Sequence, residues 1–440
     1  MTKTNQALFS RPILAALMVI ITLLIWVLNA TAPAPRFSQA IMEVWKTQSN
    51  IPITWLDQEI WQGTNKLEIR IRFNHGRTDD TNQGLTDTLF SLLLLDSFPL
   101  STTPVNKRLE SVAASINYHV SEDDSELAIT LNSEPDYLDA SINVLSPWLI
   151  SPDFKTRTFA RWQQNQTSYY LSPKAQLSQH LYPTADTSLL GNVMQEYSLT
   201  IADIKTHHQA LLHKIDKITV VGHLPDKEAF KQQLETLTKK LIPIGSEGTV
   251  NSTSHIALHT QVGDTLRQSH GALAINELKS VADWISLQIW LSFFLEQLNQ
   301  DTEIEYAQLH LEKSHIRQWA WWSVQYHQNV LQASSDKRST IEQGTYATKN
   351  IVLDSLKTMT ESRFDSLLAS LQEKISIQSQ SPTWWARIAS QETPKQQGLD
   401  LDNWLANYSV DLQEISFQQY KKSIDKIIAK DSYQEIQIRK

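Results

Sequence analysis

The chain has 440 residues, 41% apolar and 20% charged, which suits about two to three domains and excludes wholesale disorder. Its formal charge of −8 comes without a basic stripe, so no nucleic-acid partner is expected. Cysteine is absent, which excludes disulfides, thiolate metal sites and a cysteine nucleophile, and the 11 glycines form no phosphate-binding loop of a common type.

Residues 13–28 are an almost wholly apolar run interrupted only by Thr22. Extended to 12–30, the run reaches the roughly 20 residues needed to cross a bilayer. Lys3 and Arg11 precede it and no acid does, so the N-terminus is expected in the cytoplasm and the remainder on the other side. A cleaved signal peptide is the alternative. Ala30-Thr31-Ala32 has the small residues of a cleavage site, but Pro33 follows directly and the apolar run is long for a leader. The expectation is an uncleaved single-pass anchor at 12–30 in the inner membrane, with a periplasmic body if the chain is bacterial.

Pro33, Pro35 and the following stretch read as a stalk. Residues 67–73 (LEIRIRF) alternate apolar and charged side chains, the pattern of a half-buried strand. An apolar helix is predicted at 86–95 after Gly84, and a shorter one at 104–114. Residues 115–120 and 127–131 read as a hairpin, with the acids Glu122, Asp123 and Asp124 at its tip facing water. Helices follow at 137–149 and 155–171, the second stopped by Pro173. Residues 200–213 read as a helix, 217–221 as a strand and 226–241 as a helix. Residues 243–254, with Gly245, Gly248 and several Ser and Thr, read as a linker. The order then repeats in outline. Strands are predicted at 256–262 and 272–278, a long apolar helix at 281–298, and a strand pair at 305–311 and 319–326. Helices at 341–357 and 364–377 and a last strand at 433–438 complete the chain. In the strand pair, Trp319 and Trp321 should face one way and Trp322 the other, as sheet core.

Four stretches carry a family resemblance. They are FNHGRTDDTNQGLTDTLFSLLLLDS (73–97), KRLESVAASINYHVSEDDSELAITL (107–131), LYPTADTSLLGNVMQEYSLTIADI (181–204) and ITVVGHLP (218–225). In order and spacing they resemble the pitrilysin/insulinase-type (M16) zinc peptidases. The resemblance implies an α+β chain of two homologous M16-type domains, each a mixed or antiparallel sheet covered by helices, after the N-terminal transmembrane helix. The implied division is 1–35 for tail, anchor and stalk, 36–242 for the first domain, 243–254 for the linker and 255–440 for the second domain.

Active members of that family carry His-x-x-Glu-His on the first helix, two zinc ligands and the base that activates water. Aligned from Gly84 and Leu85, those places fall on Asp87, Phe90 and Ser91. The family's third ligand is a Glu on a later helix. Here 154–185 hold no Asp or Glu, while Gln164 and Asn165 stand near the expected place. A neutral amide does not supply the negative charge that holds zinc, so no catalytic residue, metal or other cofactor is expected. The remaining histidines read as surface or hydrogen-bonded groups. Adjacent His207 and His208 point about 100° apart on a helix, and His180, His213 and His223 stand alone. The family's substrate-positioning segment falls on 298–306, where Tyr306 is kept and Asn299 replaces an Arg.

The resemblance implies a non-catalytic, membrane-anchored subunit that completes the chamber of a zinc-bearing M16 chain and meets peptide or unfolded protein there. The alternatives are a solitary pseudo-peptidase binding peptides or an envelope partner, and a peptidase with an unrecognised site.

Overall fold

The computed structural model describes residues 18, 39–82, 84–99, 101–165, 172–183, 199–243, 251–260, 266–314, 316–327, 344–391 and 401–439. The predicted anchor lies, Met18 apart, outside these. Among the described residues no helix is long and apolar enough to cross a membrane. Ser38–Lys440 form one compact unit.

In chain order the elements are β1 (Ile41–Lys46), β2 (Pro52–Asp57), β3 (Lys66–Phe73), α1 (Leu85–Leu94), α2 (Val105–Leu109), β4 (Ser115–Val120), β5 (Ser125–Asn132), α3 (Pro135–Ile150), α4 (Thr156–Asn165), α5 (Pro173–Leu181), α6 (Ile201–Leu211), β6 (Ile215–Val221) and α7 (Lys227–Thr238). Then come β7 (Ala257–Thr260), β8 (Leu266–Ile275), α8 (Val281–Gln300), β9 (Ile304–Lys313), β10 (Gln318–Tyr326), α9 (Lys349–Ser355), α10 (Glu361–Gln378), α11 (Pro382–Gln391), α12 (Leu401–Glu414), α13 (Phe417–Ile427) and β11 (Gln434–Arg439).

Two mixed sheets organise them. The first runs β1-β2-β6-β3-β5-β4 and the second β7-β11-β8-β10-β9. Apart from β1, the second order repeats the first strand for strand. Each sheet has one parallel pair, β2 with β6 and β7 with β11, and is otherwise antiparallel.

Each half lends the other a helix. From the first half, α5 lies on β8 and β11, where Leu177, Leu181 and Tyr182 join Ala272, Ala274, Trp319 and Ile436 in one apolar cluster. From the second half, α11 lies on β3 and β6. There the contact is polar. Lys217 Nζ donates to Ala389 O at 2.7 Å and Arg72 Nη1 to Ser390 O at 2.9 Å, so two cations satisfy the last carbonyls of α11. At the other end Thr383 Oγ1 donates to Glu68 at 2.8 Å.

The structure corrects four expectations, the first two through this exchange. The strand at 66–73 is buried on both faces, because α11 covers its charged side: Glu68 and Arg72 are buried. Pro173 does not merely stop a helix but opens α5 as its first residue, with Ser172 accepting from Ala175 N as cap. The stretch beyond Pro35 contains β1, an edge strand, and β2, paired with both β1 and β6, rather than stalk alone. The helix expected at 341–357 is α9 only; 344–348 are not helical and 341–343 lie outside the described residues.

The hairpin acids are the fifth correction. Asp123 and Asp124 are buried, not solvated. Asp124 accepts from Arg72 at 2.7 Å. Asp123 meets Ser314 and Arg317 of the β9–β10 turn, Arg317 Nε lying 3.3 Å away. Burial pushes the Asp123 carboxyl up to about 6 against the pull of Arg317 and Ser314. Gly76 permits the approach: a Cβ there would stand 2.4 Å from the Glu122 and Asp123 backbone.

The Trp pattern holds. Trp319 and Trp321 pack against the α5 cluster. Trp322 lies on the other face, edge-on to Phe294 at 4.9 Å, its Nε1 donating to Thr348 Oγ1 at 2.9 Å.

Candidate functional site

Helix α1 is entered through Gly84, whose φ of 77° is left-handed and favours glycine. Asp80 caps the start: its carboxylate accepts Thr86 N–H at 3.1 and 3.2 Å and also the Thr86 hydroxyl. On one side of α1 lies β4, the edge strand of the first sheet; α4 and α6 pack beside it.

Arg77 grips Asp87 with two bonds, Nε to Oδ2 at 2.7 Å and Nη2 to Oδ1 at 3.0 Å, and lies 3.6 Å from Glu122. A bidentate pair of this kind engages both carboxylate oxygens. Phe90 is fully buried, stacked on Tyr118 of β4 at 5.6 Å and tilted to Phe73 at 6.0 Å. Ser91 Oγ shares a hydrogen bond of 3.0 Å with the Tyr118 hydroxyl. Gln164 is exposed near the end of α4, and Asn165 is its last residue. The structure thus gathers Asp87, Phe90 and Ser91 on α1 with α4 alongside. It fills their places with an ion pair, an aromatic stack and a surface hydroxyl pair. None of these offers a base beside a vacant metal position.

The second-half positions stand apart in character. Tyr306 on β9 is 55% exposed and accepts from Gln308 Nε2 at 2.6 Å. Asn299 is exposed in the last turn of α8. Tyr306 thus lies on an edge strand of the second sheet, whereas Asn299 lies on the helix that precedes it.

The histidines hold a grouping that sequence spacing does not show. His207 on α6, His75 after β3 and Asp80 before α1 bring one donor atom each within 4.8 Å of one another. His207 Nε2 is 2.9 Å from Thr86 Oγ1. Burial, then the neighbouring His75, brings His207 down to about 4. His208 points elsewhere, as its adjacency requires: Nε2 donates to Leu149 O at 3.0 Å and Nδ1 accepts from Gln209 at 3.3 Å. His180 is not isolated but stacks on His259 at 3.7 Å. The only local hint of the cluster is His75 and Asp80, five residues apart in one loop; the third member is 127 residues beyond Asp80 (207 − 80).

No protein-family model matches the sequence, and no curated protein does. Solved structures match over nearly the whole chain. A peptidase M16 inactive domain from Pseudomonas fluorescens has a TM-score of 0.65 at 13% identity, covering 91% of this chain and 98% of that one. The fold is that of the M16 peptidases. A protease from Helicobacter pylori matches at TM-score 0.66 and 14% identity, covering 91% of this chain and all of that one. The periplasmic protease PqqL from Escherichia coli matches at 0.65 and 10% identity over 92% of this chain, which spans 47% of that protein.

Proposed function

We propose that the chain is a non-catalytic M16-type subunit, held in the cell membrane by residues 12–30, that completes the chamber of a zinc-bearing M16 chain during periplasmic peptide or protein processing. The observation that carries this reading is the content of α1. The two-sheet scaffold is present, while Asp87, paired with Arg77, and Phe90, stacked on Tyr118, stand at the positions that the sequence resemblance assigns to zinc ligand and base. Likeness to a structure described as an inactive M16 domain supports it. The division into domains 36–242 and 255–440 is supported by the repeated strand order of the two sheets.

The test is co-expression with the nearest His-x-x-Glu-His homologue from the same genome. The two chains are expected to co-elute in size exclusion, and peptide cleavage to rise over the homologue alone. This chain alone should cleave no unfolded peptide. Independent elution at micromolar concentration, with a fully active unaided homologue, would replace the chamber reading with that of a solitary peptide or partner binder.

A further inference from the structure

We propose that His75, Asp80 and His207 form a binding site for one divalent transition-metal ion, with zinc the best fit. The site is distinct from the Asp87, Phe90 and Ser91 positions on α1. It stands on different residues from the proposed function and does not depend on it.

Three separate elements deliver the donors. His75 sits in the turn that leaves β3, Asp80 at the entry to α1, and His207 on α6. His75 Nε2 lies 3.5 Å from Asp80 Oδ1, and His207 Nε2 lies 3.8 Å from the same oxygen. Two ligands bonded at about 2.0–2.1 Å to a tetrahedral ion stand roughly 3.3 Å apart. The two edges to Asp80 therefore need only a few tenths of an ångström of contraction, while the His75–His207 edge, within 4.8 Å, closes by up to about 1.5 Å as the rings turn toward the ion. The Asp80 side chain is fully buried, and the two rings lie 4.8 Å apart between centroids.

The decisive atom is His75 Nε2. It is buried and has no hydrogen-bond partner. An orphaned buried polar atom costs about 1–3 kcal/mol, and such atoms in folded proteins call for an ion or a water. This one faces a carboxylate and a second imidazole. The Thr86 amide and hydroxyl both donate to Asp80 and hold its carboxylate in one orientation. Hydrogen bonds of that kind set the direction of a ligand in metal sites. Thr86 also stands 2.9 Å from His207 Nε2. Because the Thr86 hydroxyl proton goes to Asp80, His207 Nε2–H donates to Thr86 Oγ1 in the empty site. Binding an ion moves that ring's proton to Nδ1 and exchanges this hydrogen bond for the bond to the metal.

Two imidazole nitrogens and one carboxylate oxygen suit zinc, cobalt or ferrous iron. Calcium takes six to eight oxygens and magnesium an octahedron of them, neither of which is present. The nearby Asp87 carboxylate is already engaged by Arg77. A bound ion would therefore act as a rivet joining the β3 turn, the α1 entry and α6.

The experiment uses the purified full chain, stripped with a chelator and titrated with Co2+ and with Zn2+. The expected result is one equivalent per chain, visible d–d absorption with Co2+, and a rise in Tm with Zn2+. His75→Gln removes one ligand while breaking no hydrogen bond of its Nε2, so the variant should fold, as circular dichroism will check. Its affinity should fall by more than the roughly 10–100-fold lost with an outer hydrogen-bond partner of a ligand. Asp87→Asn should bind as the parent does. Absence of stoichiometric binding to the parent, or equal binding by His75→Gln, would overturn the proposal. Loss with Asp87→Asn but not with His75→Gln would place the ion at the family's own position and overturn it too. Peptidase activity is not a readout here, so failure leaves the chamber reading untouched.

Discussion

The two borrowed helices, α5 on the second sheet and α11 on the first, do the same structural job with different chemistry. On the second sheet, α5 presents Leu177, Leu181 and Tyr182 to an apolar face, and its end is satisfied by backbone, Thr253 N donating to Leu181 O at 2.7 Å. On the first sheet, α11 meets a charged face, and its end is satisfied by side chains, Lys217 and Arg72. Apolar contact stabilises in proportion to the area removed from water and is indifferent to small shifts. A buried ionic contact is directional: it contributes little net stability but penalises every misplacement of a partner. The polar seam therefore fixes where α11 sits, and the apolar seam mainly holds.

That contrast can be broken from the polar side first. Arg72→Ala removes a buried cation that serves Ser390 O and Asp124 at once. Leaving Asp124 buried without that partner should cost about 3–5 kcal/mol, read as a lower urea midpoint. On the apolar side, Leu177→Ala leaves a cavity in a fully buried position and should cost about 2–5 kcal/mol. The sharper difference lies in rescue. Arg72→Lys should recover little, because one ammonium does not serve both partners in the guanidinium's fork. Leu177→Met should recover most of its loss. Equal rescue at both sites would show the seams to be alike.

The same seams explain which parts of the fold are legible in the sequence. Alternation marks β3, β4, β5 and β10, because each pattern answers to a face within its own sheet. It underestimates the burial of β3, because the cover for Glu68 and Arg72 comes from α11, more than 300 residues away: the Lys66–Thr383 bond spans 317 positions. Helices α5, α11, α12 and α13 and strand β1 are not legible in the local pattern, and β2 reads as stalk. For α5 and α11, the apolar or polar stripe is matched to the other half, which a local window does not contain. The motif positions on α1 are readable because the motif is local. The His75, Asp80 and His207 group is not, because α6 brings its third member by packing against α1.

A second measurement compares the halves through their buried histidines. His208 belongs to the first half and His270, on β8, to the second. Burial lowers both to about 4. His208 is fully hydrogen-bonded as a neutral ring, whereas neither ring nitrogen of His270 has a partner. The folded values lie below the ordinary histidine value, so each contributes stability that is present above about 6.5 and lost as pH falls toward 4. Each should cost about 1 kcal/mol between pH 6.5 and 5.5. Asp123 runs the other way. Its folded value of about 6 is raised, so its contribution is present below about 3.8 and lost as pH rises through 6. His180 and His207, also lowered to about 4, act in the same direction, so one carboxyl only partly offsets four histidines and urea midpoints should fall on acidification across this window. His270→Gln should flatten that slope by more than Asp123→Asn, which removes the offset, steepens it. A midpoint that rises from pH 6.5 to 5.5 would mean that the seam at Asp123 outweighs the buried histidines together.

The smallest expected effect concerns α1 against α8, its counterpart in the repeated order. Helix α8 is an apolar core helix: Trp284, Ile285, Leu287, Ile289, Trp290 and Phe294 are buried, and Trp290 Nε1 donates to Ser355 Oγ at 3.1 Å. Helix α1 keeps polar side chains on the side facing β4, including Ser91. The Ser91–Tyr118 hydrogen bond is open to solvent, and Tyr118 is 37% exposed. Water can replace either partner, so Ser91→Ala and Tyr118→Phe should each stay within about 0.5 kcal/mol of the parent in urea unfolding. Their double-mutant coupling should be smaller still. The aromatic stack beneath them is a different matter, because Phe90 is buried against Phe73 and Tyr118. If Ser91→Ala cost more than about 1.5 kcal/mol, a value typical of buried rather than surface positions, α1 would belong to the core at that position as firmly as α8 does. A near-zero cost would instead mark Ser91 and Tyr118 as a polar surface free of structural duty. Such a surface would lie beside β4, an edge strand of the first sheet among the described residues, where an added strand can pair.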